Sequence, residues 1–363
     1  MNGDDPFLAR TADALARAPV REKGRYFETF TEGETIDHER GIRLTRAGSD
    51  CWASQTLNHD PAYWRLDAAR ERGYDAPPTH PDYLLACTMG PSVEDLSEKG
   101  GYFLGRTDVR YPSGAVAPGT DLVVESETVV TRPSSSRPDY GIVTWETRGL
   151  DADTGEVVCA YERTNMVPRR EPTEPPSTDD DRRAATDGGE TTPEERSEPS
   201  LPADLVAPEG PYFEDFRTAL DRTDGRDAAV AYRHERGRTV DDYLLSVLPL
   251  RTLNTAKQHH DAHAMADSPS GEPVVYGDVT RSVALGHARS DEATWREERC
   301  EDERFHDFIV AGDTVSAVTR VLDADPDTGS DAAGRVTFRH YAVNQRDEPV
   351  YSGTRTALIR RRP

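Results

Sequence analysis

Positive charge is scarce in this chain, and lysine is nearly missing. Three lysines (Lys23, Lys99, Lys257) occur in 363 residues; arginine supplies the rest of 44 basic residues against 67 acidic ones, for a net charge of -23. No basic patch stands out, so a nucleic-acid partner is not expected. The acidity is spread over the chain rather than gathered in a tail, which suits a protein kept hydrated at high salt, where self-repulsion is screened. Cysteine is sparse too: Cys51, Cys87, Cys159 and Cys300 stand alone without Cys-x-x-Cys spacing. That excludes a disulfide framework or zinc ribbon and points to reduced thiols. Met1–Val20 has no apolar core of signal-peptide type, and no run approaches the roughly 18 apolar residues of a membrane span. A soluble, cytoplasmic protein with no membrane partner is expected. Neither a Gly-rich nucleotide fingerprint nor a nucleophile elbow is present.

One stretch lacks nearly everything a core requires. From Glu171 to Ser200 there is no aromatic residue and no Val, Ile, Leu or Met, but ten acidic residues and three arginines. Such a segment cannot offset its ordering entropy by burial, so 171–205 is expected to be an acidic flexible linker. It separates an N-terminal domain, 1–170, from a C-terminal one, 206–363.

What is present is a duplication. Gly24-Arg-Tyr-Phe-Glu-Thr-Phe30 recurs as Gly210-Pro-Tyr-Phe-Glu-Asp-Phe216, His38-Glu-Arg-Gly41 as His234-Glu-Arg-Gly237, and Thr56-Leu-Asn58 as Thr252-Leu-Asn254. Pro77 and Asp82 match Pro273 and Asp278. The last three matches share the single offset that relates His38 to His234, which chance rarely produces. Each half reads as an aromatic lead-in, a strand, an irregular segment with a helix, a helix opening near Asp82 or Asp278, and then strands. Val279, Val283 and Gly286 fall at helical spacing, with Asp278 as a plausible N-cap. The runs 122–130, 142–147, 314–322 and 336–343 read as strands. Asp153-Thr-Gly-Glu156 and Gln345-Arg-Asp-Glu348 are hairpin signals. One long helix followed by an antiparallel meander, twice, gives an α+β fold of two tandem hotdog domains, each a sheet wrapped around a central helix.

The chemistry-bearing cluster is Asn254-Thr-Ala-Lys-Gln-His259-His260-Asp261, followed by Ser268-Pro-Ser-Gly-Glu-Pro273-Val-Val-Tyr276-Gly277. A polar residue five positions before a histidine, then a Gly-containing turn into a helix, resembles the signature of the MaoC-like hydratases. That family usually has Asp at the first position, where this chain has Asn254. The departure is closer to the type-2 hydroxyacyl-thioester dehydratases and the mesaconyl-CoA hydratases. The paired Tyr-Phe-Glu lead-ins and the composition resemble the mesaconyl-CoA hydratases of halophilic archaea, which serve acetate assimilation (the methylaspartate cycle). The resemblance covers both halves in outline, but residues 250–290 carry it specifically. It implies hydration of an enoyl-CoA thioester, mesaconyl-CoA to β-methylmalyl-CoA, or a 3-hydroxyacyl-thioester dehydratase with another acyl chain. Coenzyme A enters as part of the substrate, so no cofactor and no metal are implied; the chain would act as a homodimer or a monomeric double hotdog. A hotdog acyl-CoA thioesterase and a non-catalytic acyl-binding module stay open.

Hydration requires a base for the attacking water and donors for the enolate oxygen. An imidazole titrates near neutrality, so His259 is the candidate base. Asn254 can orient the water or the imidazole without titrating, and Asp261 is the nearest carboxylate in sequence. Backbone N–H groups near Tyr276 and Gly277, at a helix N-terminus, are the oxyanion and substrate-binding candidates. His259 and His263 are also spaced to share a helix face, the spacing of a metal pair. Arg110 and Arg304 are candidates for the CoA phosphates. In the first half Asn58 matches Asn254, but Tyr63 stands where His259 would be. The first half is therefore read as a degenerate copy whose enlarged cavity accommodates acyl chain or pantetheine.

Overall fold

The computed structural model describes residues 11–171, Asp13 excepted, and 201–363. From residue 172 to 200, the expected linker lies outside the described residues. The first half runs β1 (Thr35–Arg43), α1 (Arg46–Gln55), α2 (Pro81–Leu96), β2 (Tyr102–Arg110), β3 (Asp121–Pro133), β4 (Tyr140–Asp151) and β5 (Val157–Pro168). The second runs β6 (Asp204–Val206), α3 (Phe213–Thr223), β7 (Ala228–Thr239), α4 (Gly277–Asp291), β8 (Thr294–Phe305), β9 (Thr314–Asp325), β10 (Ala333–Val343) and β11 (Pro349–Arg360). Strand order is β1-β3-β4-β5-β2-β8-β11-β10-β9-β7-β6. All neighbours are antiparallel except the short β6 on β7. The fold is a double hotdog: two meanders, each curled over its own long helix, joined into one sheet where β2 pairs with β8 at Arg106–Glu303, Val109–Cys300 and Arg110–Arg299.

The strands expected at 122–130, 142–147, 314–322 and 336–343 form, each longer than its sequence signal. Burial alternates along β3 and β9, as a strand with one face on a core requires. Both hairpin signals close turns. Asp151 accepts from the N–H groups of Asp153 and Thr154, and Asn344 accepts from those of Arg346 and Glu348. The two lead-ins differ: Phe27–Thr29 is a single tight turn, whereas Phe213 opens α3. Their phenylalanines nevertheless do the same thing. A Cβ on Gly141 would lie 2.0 Å from the Phe27 ring, and one on Gly334 would lie 2.3 Å from that of Phe213.

Asp278 is not the N-cap of α4. Tyr276 holds that position, and Asp278 sits in the first turn with its carboxylate buried. In the first half His80 caps α2, its Nδ1 accepting from the Asp82 N–H at 3.2 Å. The repeated histidines also have a structural role. His38 and His234 tie the last turns of α2 and α4 to the sheet, through Asp95 and Ser126 in one half and Asp291 and Thr319 in the other.

The halves are interlocked rather than merely adjoining. Thr252–Asn254 crosses α2 so closely that a Cβ on Gly90 would fall 1.6 Å from the Thr252 carbonyl oxygen. Thr56–Asn58 crosses α4 in the same way, with a Cβ on Gly286 reaching 2.1 Å from the Thr56 oxygen. The middle residue of each crossing, Leu57 or Leu253, takes a left-handed backbone, φ 58° and 63°. Trp52 donates to Ser282 at 3.0 Å across the same seam, and one apolar core contains side chains from both halves. Each half therefore delivers the loop after its Thr-Leu-Asn triplet to the other half's helix.

Candidate active site

Two points, related by the internal duplication, result from this interlocking. At one, a cavity of about 1020 Å³ opens between the halves. The second half supplies Asn254, His259, Tyr276, Gly277 and Asp278; the first supplies Met89 and Val93 of α2, and Phe103, Arg106 and Arg163 of β2 and β5. All three lysines of the chain, Lys23, Lys99 and Lys257, line it as well. At the other point the space shrinks to about 20 Å³ beside Tyr63. The point beside Tyr63 is thus not enlarged, and the large cavity draws its walls from both halves. Tyr63 lies against His80, ring centroids 4.8 Å apart, and the first half contributes a wall to the cavity of the second.

His259 sits in a single turn, Lys257–His259, and its side chain is buried. Its Nδ1 lies 2.9 Å from the Val274 carbonyl, which can only accept, so Nδ1 carries the proton and Nε2 keeps its lone pair. Burial pushes the ring's pKa down to about 4, against the opposing pull of the Val274 carbonyl. The ring is thus a neutral base above that value. Tyr276 packs beside it at 5.4 Å between centroids. Asn254 is buried at the same wall, with Oδ1 accepting from the Ala256 N–H at 3.1 Å, which fixes the amide's orientation. Gly277 opens α4; a side chain there would strike Phe305, 2.7 Å from a Cβ. Its N–H belongs to the first turn, where no intrahelical carbonyl precedes it, at the positive end of a 15-residue helix.

Asp261 is placed elsewhere. It caps the short turn Ala262–Met265 by accepting from Ala264 N–H at 2.9 Å, and it does not line the cavity. His263 is exposed on that same turn, and among the described residues no group of three His, Cys, Asp or Glu is disposed to hold a metal. Neither Arg110 nor Arg304 lines the cavity. Arg110 pairs with Asp108 and Glu146.

The buried carboxylate at the cavity is Asp278. It accepts from Tyr276 Oη at 2.6 Å and from Arg106 at 2.5 Å. From there a chain of buried ion pairs runs across the seam: Arg106 to Glu303, Glu303 to Arg281, Arg281 to Asp82, Asp82 to Arg289, Arg289 to Glu297, Glu297 to Arg355 and Arg355 to Glu292. Burial alone would raise these carboxyls. The flanking guanidiniums outweigh it, holding Glu303 at about 2 and Asp82 well below the usual range. Asp82 and Asp278, matched by the duplication, are thus both paired with buried arginines. Sequence reasoning missed this ladder, since an arginine in a sequence does not reveal its carboxylate partner.

With this geometry in view, comparison with known proteins is decisive. A family model described as mesaconyl-CoA hydratase matches residues 6–361. The chain belongs to the mesaconyl-CoA hydratase family. It is 61% identical over 347 residues to a mesaconyl-CoA hydratase of Haloarcula marismortui, covering 96% of this chain and 94% of that one. A mesaconyl-CoA hydratase of Cereibacter sphaeroides is 31% identical, over 87% and 90% of the two chains. Among solved structures, a putative MaoC domain protein dehydratase from Chloroflexus aurantiacus superposes with a TM-score of 0.76 at 19% identity, covering 95% of this chain and all of that one. A double-hotdog protein from Mycobacterium tuberculosis gives 0.68 at 21% identity, over 92% and 98%; these two show the fold. Family membership makes the chain an acyl-CoA hydratase, a hydro-lyase. No helix among its described residues is long and apolar enough to cross a membrane.

Proposed function

We propose that this member of the family adds water to mesaconyl-CoA, giving β-methylmalyl-CoA, with His259 as the base. The observation that carries the reading is the neutral, buried His259 ring with its Nε2 unprotonated and only a long 3.4 Å contact from the Gln258 amide on it, at a large cavity beside the N-terminus of α4. Nε2 takes a proton from a water held near the Asn254 amide, and the water oxygen bonds to the β-carbon. The C=C electron pair moves onto the thioester as an enolate, whose oxygen accepts from N–H groups at Gly277. Asn254 cannot titrate, and Asp278 is committed to Arg106 and Tyr276. His259 therefore returns its proton to the α-carbon, completing the addition with one titrating group. Of the lysines lining the cavity, Lys23 and Lys99 are paired with Glu94 and Glu22, and Lys257 offers a cation to the phosphates of CoA.

The test is a panel of enoyl-CoA thioesters at molar KCl, the condition that the acidic composition favours. Loss of enoyl-thioester absorbance without release of free CoA is expected, fastest for mesaconyl-CoA. Release of CoA would instead identify a thioesterase.

A further inference from the structure

Arg163 is the buried cation that the ion-pair ladder leaves out. It is 2% exposed, lines the cavity, and has no carboxylate partner among the described residues. What it has is a long contact with Ser92, 3.3 Å, and the face of Trp145, 5.2 Å from the ring centroid; its Nε has no hydrogen-bond partner. It stands on β5 directly opposite Arg106 of β2. Arg106 is neutralised by Asp278 and Glu303, yet its own NH1 is also left without an acceptor. Two residues along β5, on the same face, the Asn165 side chain lines the cavity with its carbonyl oxygen unpaired. Burial holds the Arg163 pKa below the ordinary arginine value, and the neighbouring Arg106 adds to that. A buried guanidinium facing another, with donors to spare, is costly unless an anion arrives.

We infer that Arg163, with the free edge of Arg106, receives the carboxylate that the substrate carries on its β-carbon. This rests on the mesaconyl-CoA reading, in which that carboxylate is bonded to the very carbon attacked by water. An uncompensated anion there would repel both the incoming oxygen and the enolate formed beyond it. The guanidinium removes that repulsion, and a site built to pair a carboxylate rejects a methyl in its place, because its donors are then left bare.

The experiment compares mesaconyl-CoA with 2-methylcrotonyl-CoA, in which a methyl replaces the carboxylate, as substrates for the full-length wild type, Arg163→Met and Arg163→Lys. The readout is the ratio of the two kcat/KM values within one preparation, which is independent of the fraction folded. The wild type should prefer mesaconyl-CoA strongly. Arg163→Met should lose on the order of 10²–10³-fold of that preference, by falling on mesaconyl-CoA while holding or gaining on the methyl analogue. Arg163→Lys should keep an intermediate ratio, and it decides the matter if the methionine variant does not fold. An unchanged ratio in the variants refutes the role of Arg163 while leaving the substrate reading intact. A wild type indifferent to the two thioesters refutes the substrate reading itself.

Discussion

The two points where a Thr-Leu-Asn loop meets the opposite helix began as the same structure and now do opposite things. In one, His259 lies beside Tyr276; in the other, Tyr63 lies beside His80. The duplication matches His259 to Tyr63 and Tyr276 to His80, so histidine and tyrosine have exchanged places. The larger ring of Tyr63 fills the second of these points, leaving about 20 Å³ against about 1020 Å³ beside His259. His80, pushed by burial to about 3, is sealed beneath that ring as a helix cap, whereas His259 faces open space. The aspartates diverged less. Asp82 sits in the middle of the ion ladder, between Arg281 and Arg289, and Asp278 at one end, but only Asp278 reaches the large cavity. A buried histidine becomes a candidate base through the empty volume in front of its lone pair, not through its pKa alone.

The comparison breaks most visibly at the open point. His259→Gln should keep the fold and lower turnover by roughly 10²–10⁴-fold; a thermal melt alongside steady-state kinetics checks both, and near-wild-type turnover would move the base elsewhere. At the closed point the damage should be to stability. Asp82→Asn leaves Arg281 and Arg289 buried and short of charge, so chemical denaturation should show a loss of about 3–5 kcal/mol. At a temperature where the variant stays folded, its kcat should stay within a few-fold of wild type.

Acid should sharpen the contrast. His80, His259 and His287 are held by burial at about 3, 4 and 4. Because these values lie below that of the unfolded chain, their stabilising effect is fully present above about pH 6.5 and is lost as pH falls toward 4. Each should contribute up to about 1.4 kcal/mol per pH unit in that window. The melting temperature should fall between pH 7 and 5, and His259→Gln should make that fall shallower. Asp82, Glu297 and Glu303, held low by their arginines, add their own loss only below about pH 4.5, the ordinary range of Asp and Glu. The smallest effect is expected of Tyr63→Phe: less than about 1 kcal/mol, with turnover unchanged. If it were the more damaging change, the assignment of the active point would be reversed.

Much of the architecture was legible because repetition is a property of sequence. A shared offset at His38, Asn58 and Asp82 marks a duplication before any contact is known, and the alternation in β3 and β9 marks strands. The helix spacing after Asp278 was equally clear, though the cap was not: the chain turns into α4 at Tyr276. β2 and β8, which join the halves, gave little signal. In β8 the charged residues Glu297 and Glu303 point inward to arginines, so the usual alternation of apolar and polar residues is missing.

By itself the sequence determined two hotdog halves, an acidic surface and the asymmetry of one histidine against one tyrosine. It placed His259 and Asn254 at one site because a loop turn and a helix N-terminus are local features. Only the tertiary structure decided that Asp261 lies off the cavity, that Asp278 is bound by Arg106, and that Arg106 and Arg163 of the other half line the same cavity as His259. Those outcomes depend on the crossing of the two loops over opposite helices. Contacts made across roughly two hundred residues leave no periodicity in the chain from which they can be read.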